Sequence, residues 1–191
     1  ALVAWPGPIP LDLAARVHHV IVCPHWGEER LALPAPRQVA EARRLIEAGA
    51  SLVIGHHPHV VQGLERHGRG AIAYSLGNFL AGHVGFSDGD TLAWSRTERS
   101  GCLLRVHLSA TEVRSIEQVP TYDDGQCVRR NAGRVAWRRL RERNRQVAHA
   151  VTRARYRREQ MRVNMLLPIA QHLRWRQLRR LGWRNVRNAW R

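Results

Sequence analysis

Three imidazoles within four positions, His56, His57 and His59 in the run VIGHHPHVVQG (residues 53–63), are the densest set of chemically competent side chains in the sequence. Neutral imidazole is a good ligand for Zn, Fe, Mn or Ni, and a hydrolytic metal site normally adds carboxylates and keeps one coordination position open. Pro58 limits the backbone freedom that ligation would remove. In an extended loop residues two apart face the same way, so His57 and His59 form the expected pair. His25, in PHWGEE, is the expected third nitrogen, with Gly27 allowing close backbone approach. His56 is expected to support the site or the fold rather than to ligate, as are Glu29 and the Asn78 of SLGNF. By themselves Glu28 and Glu29 read as solvated loop acids rather than ligands. His18, His19, His67, His83 and His107 stand singly and read as hydrogen-bonded polar residues. No residue is singled out as catalytic.

These loops need a frame to converge. HHVIVCPHWG is a short apolar run ended by Pro and Gly, which suits a buried strand and its loop. PAPRQVAEARRLIEAGA has Pro at a helix start and Gly49 at its end, with Val39, Ala42, Leu45 and Ile46 on one face. SLVIG is a second strand that opens directly into HHPH, and strand–helix–strand of this length implies parallel neighbours. After a turn at His67–Gly70, AIAYSL is a third strand ending at GNF. All three loops then lie beyond the carboxyl ends of strands, where binding groups gather in open α/β sheets. Residues 81–100 read as a surface loop. CLLRVHLS sets Leu104, Val106 and Leu108 against Arg105 and His107, the period of a half-exposed antiparallel strand, with TEVRSIEQVP as its partner. From Arg129 onward the pattern is helical, with no strand signal.

The chain has 191 residues, 44% of them hydrophobic, enough for one core with an appendage. Three cysteines in no metal-type spacing argue against a disulfide framework. No apolar run approaches the ~20 residues that span a bilayer. All 31 basic residues are Arg: residues 1–128 balance at −2, residues 129–191 at +18. The basicity therefore belongs to the tail.

Three motifs, HWGEE, LIEAGASLVIGHHPHVVQGLE and IAYSLGNF, in that order and spacing resemble the poly-γ-glutamate capsule-synthesis (CapA-type) family, whose fold is that of the calcineurin-like metallophosphoesterases. The likeness is close over residues 17–80 and loose over 81–128. It implies an α/β fold, a two-sheet sandwich flanked by helices, with His25, His57 and His59 at the family's metal-site positions. It implies a divalent metal (Mn, Fe or Zn), a phosphoester or polyanionic polymer as substrate, and a membrane-associated or cell-envelope setting. The family's earlier portion carries an Asp-containing motif, a glutamate motif and an Asn-Asn-His motif, and none of these stands here. Such an Asp normally bridges two metals that share one water. The chain, which starts at Ala1, is thus expected to be the C-terminal part of such a domain, truncated at its N-terminus, binding one metal or none and inactive alone.

The division expected is a CapA-type domain over 1–128 and an arginine-rich helical tail over 129–191, with two helical segments broken near Pro168. In the second, Leu173, Leu178, Leu181, Val186 and Trp190 follow a helical stripe amid Arg174, Arg180, Arg184 and Arg187. Trp175, Trp183 and Trp190 beside Arg suit an anionic membrane surface. Nucleic acid ranks behind it as a partner, and the reading placed ahead of both is a helix pair packed on the domain with an arginine-rich solvated face. The alternative function is accordingly a non-catalytic module that binds membrane or polymer through its basic tail.

Overall fold

The structure is a computed structural model and describes residues 16–82, 84–85, 91–92, 94–149 and 151–166. Four strands, β1 (Ile21–Val22), β2 (Leu52–Ile54), β3 (Leu64–His67) and β4 (Gly70–Ala73), form one sheet in the order β1-β2-β4-β3. β1, β2 and β4 run parallel, and β3 returns antiparallel to β4. β3 was not anticipated beyond its turn. Its inward position is Glu65, 8% exposed, which apolar alternation cannot detect. Glu65 accepts two hydrogen bonds from Arg43, each 2.9 Å, and one of 2.7 Å from the Tyr74 hydroxyl, so the buried carboxylate is paired.

Helix α1 (Pro36–Glu47) begins with Pro where the missing N–H costs nothing. It ends at Gly49, whose φ of 108° lets Gly49 and Ala50 donate back to the carbonyls of Ile46 and Leu45. The apolar face foreseen for α1 is buried against Val53, Ile72 and Tyr74 of the sheet. Because strand side chains alternate, Leu52 and Ala71 face the other way. There they meet Val106, Val113 and Ile116 of a second sheet.

That second sheet joins β7 (Ser100–Leu108), β8 (Val113–Asp123) and β9 (Val128–Arg130), all antiparallel. Two sheets face to face with helices outside make the two-sheet sandwich that was expected. Within the supposed surface loop 81–100, β5 (Val84–Gly85) pairs with β6 (Thr91–Leu92). β9 is a correction as well, since residues from Arg129 were read as helical only. Its pairing with Thr121–Asp123 follows from the tight turn at Asp124–Cys127 rather than from any apolar pattern.

Helix α2 (Arg134–Ala148) packs back on the sandwich. Val147 is fully buried in the core shared by α1 and the first sheet. Asn144 accepts from the Leu64 amide at 2.9 Å and donates to Gln118 at 2.7 Å. Helix α3 (Arg153–Met161) and the π turn that follows it (Arg162–Leu166) place Tyr156 and Val163 against Leu31 and Leu33. Residues 134–166 therefore share cores with residues 16–128, while most of their arginines face outward. The Leu173–Trp190 stripe and Pro168 lie outside the described residues. No described helix is long and apolar enough to cross a membrane.

Candidate metal centre

β1, β2 and β4 are adjacent and parallel, so the chain leaves all three at one edge of the sheet. The first two exits stay paired for one more step. The Trp26 amide donates to His56 O at 3.0 Å and the His56 amide to Pro24 O at 2.9 Å, an added parallel bridge between His25 and His56. Gly55 is required at this crossing. A Cβ there would lie 2.0 Å from Tyr74 O and 2.5 Å from Trp26 Nε1, inside the 3.1 Å hydrogen bond that joins those two atoms.

His57 and His59 do converge, but not by strand alternation. Their φ angles are 100° and 59°, so the loop turns left-handed twice about the buried Pro58 instead of running extended. Such angles cost non-glycine residues of order 1–3 kcal/mol each and persist only where the surroundings impose them. The ring centroids sit 5.9 Å apart.

Glu29 brings a carboxylate beside this pair. One donor atom each from Glu29, His57 and His59 lie within 4.8 Å of one another, although Glu29 was expected outside the ligand set. The next residue fixes this. The Arg30 amide donates to Pro58 O at 2.8 Å, with Arg30 itself at φ 65°, so the GEER loop is pinned on the HHPH turn. Glu28 points away and accepts from Tyr156 and Gln160 of α3 at 2.9 and 2.8 Å, so it is held rather than loose. His25 Nε2 lies 3.0 Å from His57 Nδ1, with ring centroids 4.7 Å apart. In this arrangement His25 braces His57 and the three-donor set stands beside it. Burial, with His25 nearby, lowers the pKa of His57, which favours the neutral imidazole that a metal needs. His56 is exposed, and burial of part of its ring followed by His25 likewise lowers its pKa.

Asn78, from the third exit, determines how His59 presents itself. Its Nδ2 donates to Glu98 O at 3.2 Å, and its Oδ1 lies 2.8 Å from His59 Nδ1. A carbonyl can only accept, so Oδ1 must face the imidazole, His59 carries its proton on Nδ1, and the Nε2 lone pair is left for a cation. Trp94 packs beside the His59 ring, centroids 5.1 Å apart, and donates to Gly82 O at 2.8 Å.

Glu98 was missed by sequence reasoning. It is 4% exposed, its backbone carbonyl holds Asn78, and its carboxylate takes Arg30 Nε at 2.9 Å. Burial pushes its pKa up, but hydrogen bonds from Ser95 and the Arg30 guanidinium outweigh that and hold it below the usual value. The run WSRTERSG carries no local signal of this, since the link spans 68 residues. Two of the singly placed histidines have ordinary partners, His19 contacting Ser51 and Ser109 and His67 contacting Glu47, while His83 lies outside the described residues.

One carboxylate and two imidazoles within reach of one point suit a divalent cation of mixed nitrogen and oxygen preference. Comparison with known proteins bears on what such a site serves. The model of the family described as "Bacterial capsule synthesis protein PGA_cap" matches residues 12–83, the stretch that holds every one of these donors. Over that stretch the chain is similar to the PGA_cap family. Its relatives include the "Capsule biosynthesis protein CapA" of Bacillus anthracis, 42% identical over 101 residues, covering 53% of this chain and 22% of that relative. The "PGA biosynthesis protein CapA" of Bacillus subtilis (strain 168) is 38% identical over 114 residues, covering 59% of this chain and 27% of the relative. The chain thus spans about a quarter of the length of these curated relatives. A further match, the "Uncharacterized protein y4sH" of Sinorhizobium fredii, is 43% identical over 69 residues, 36% of this chain and 14% of that protein.

Proposed function

We propose that Glu29, His57 and His59 hold one divalent cation (Mn, Fe or Zn) as part of a phosphoesterase-like site in a CapA-type protein of poly-γ-glutamate capsule biosynthesis. The observation that carries this reading is the convergence of one carboxylate and two imidazoles on strand-end loops. A cation there supplies Lewis-acid polarisation of a phosphoester oxygen. The chain's own part is to orient the ligands. Asn78 sets the His59 tautomer, Arg30 carries Glu29 onto the histidine turn, and His25 steadies His57.

These residues act at one metal. Among the described residues no other group of three donors gathers. Such a site turns over phosphoesters poorly, so the chain alone is inactive as a phosphatase. The substrate class is a phosphoester or a polyanionic polymer, and the setting is the cell envelope. The strongly basic residues beyond 166 would add contact with an anionic membrane surface.

Metal titration of the chelator-treated chain should give one site, weakened at least tenfold by His57→Ala, with no turnover of an aryl phosphate in Mn²⁺. Two bound metals, or turnover abolished by His57→Ala, would sink the one-metal reading. Absence of any metal binding would sink the site itself.

A further inference from the structure

A second concave site lies between α2 and the β7–β8 pair. It is a cavity of about 470 Å³, within the usual range for small-molecule sites. Four of its lining residues are Arg96, Arg134, Arg139 and Arg143, and no acidic side chain lines it. None of the four has a carboxylate within ion-pair distance among the described residues. Arg96, Arg134 and Arg139 are exposed, while Arg143 is half-buried and donates only to Gln146 at 3.1 Å. Burial pushes the Arg143 guanidinium below its usual pKa, with Glu159 and Glu142 offsetting part of the effect from a distance. A cation left in that state gains from any anion that enters.

Two further features point into the same space. The N-terminus of the 15-residue helix α2 opens there, with Gly133 as its cap residue and no side chain capping it. Its first amides and dipole therefore favour negative charge. The second feature is Thr121, 3% exposed, which lines the cavity and whose Oγ1 has no hydrogen-bond partner. A buried hydroxyl without a partner costs about 1–3 kcal/mol, so it marks a position where a ligand acceptor is wanted.

We propose that this cleft binds a small anion bearing more than one phosphate or carboxylate group, held by the four arginines, the α2 N-terminus and the Thr121 hydroxyl. The volume exceeds the needs of a single tetrahedral anion, and four guanidiniums around it call for several charges on one ligand. The site stands apart from the metal reading, because none of Glu29, His57 and His59 lines the cavity.

The test is calorimetric titration of the full chain, freed of metal by chelation and dialysis, in 0.15 M salt, with pyrophosphate in one arm and citrate in the other. Saturable 1:1 binding of either anion is expected, and the better arm decides between phosphate and carboxylate chemistry. Thr121→Val and Arg139→Gln should each weaken binding about tenfold. Arg157→Gln, the same charge change on exposed α3, should stay within about twofold. Thr121→Val should also unfold at the same or a higher temperature than the parent, because it removes a buried unpaired hydroxyl, so lost binding cannot be lost folding. Failure of both anions to bind, or Arg157→Gln weakening binding as much as Arg139→Gln, would overturn the site in favour of diffuse attraction. Binding that returns only when metal is restored would overturn it too, by placing the anion at the histidine cluster.

Discussion

His59 Nδ1 lies 2.8 Å from Asn78 Oδ1, while the other end of that amide donates to the carbonyl of Glu98. Two bonds thus settle which nitrogen of His59 is free. The arrangement is the familiar one in which an outer partner fixes a ligand imidazole's tautomer and ring plane. Asn78→Ala removes the acceptor and should weaken Zn²⁺ or Mn²⁺ binding about 10- to 100-fold. Asn78→Asp keeps an acceptor toward His59 and should retain most of the affinity while losing the donor to Glu98. Metal titration of both variants checks this. Equal losses would mean that the amide holds the loop and not the tautomer.

The left-handed turn at His57 makes a separate prediction. At φ 100° a side chain is strained whatever it is, and glycine is not. In metal-free protein, His57→Gly should therefore be about 1 kcal/mol more stable than His57→Ala. Urea midpoints of the two variants read the difference. Both should lose metal affinity alike, so stability and binding separate at this position.

Glu98 predicts an acid-sensitive clamp. Its folded pKa is depressed, so the folded state binds the proton less readily than the unfolded state. Stability from this group is present above the ordinary glutamate value of 4.5 and is lost as pH falls through the lower folded value. Glu98→Gln should be less stable than the parent at pH 7 by about 1–2 kcal/mol, with a flatter decline below pH 4.5. Thermal unfolding between pH 7 and pH 3 checks the sign. A mutant that declines as steeply as the parent would place the acid sensitivity elsewhere.

Val147 tests whether the first basic helix belongs to the fold. It is fully buried beside Val53 and Ile72, so Val147→Ala should cost about 2 kcal/mol. Chemical unfolding should remain a single transition, because α2 and the sheet share one core. A loss under about 0.5 kcal/mol would return α2 to the status of an appendage.

The elements around the site were legible where a repeating pattern marked them. Val39, Ala42, Leu45 and Ile46 gave α1 its face, and Pro36 and Gly49 its ends. The alternation in Leu104–Leu108 identified β7, and its turn at Ser109 led to β8. β3 and β9 escaped for one reason: their pairing rests on partners rather than on apolar period. Glu65 is buried only because Arg43 and Tyr74 satisfy it. Basic helices packed on the domain were among the expectations, but the positions that enter a core, Leu140, Val147 and Tyr156, were not legible, since arginine composition outweighs them.

What the sequence determined by itself was the set of residues and the edge at which they meet. Short-range order, a strand followed by a loop of histidines, is written in neighbouring residues and can be read locally. Parallel strands end at the same edge of a sheet, so the loops that leave them gather on one side. What only the tertiary structure decided was which donors share a centre. Glu29 joins His57 and His59 because Arg30 is tied to Pro58, and Asn78 faces His59 because Glu98 takes its amide. Those ties run between residues 19 to 28 positions apart or across left-handed turns, and no pattern along the chain encodes a contact that exists only after the loops have closed.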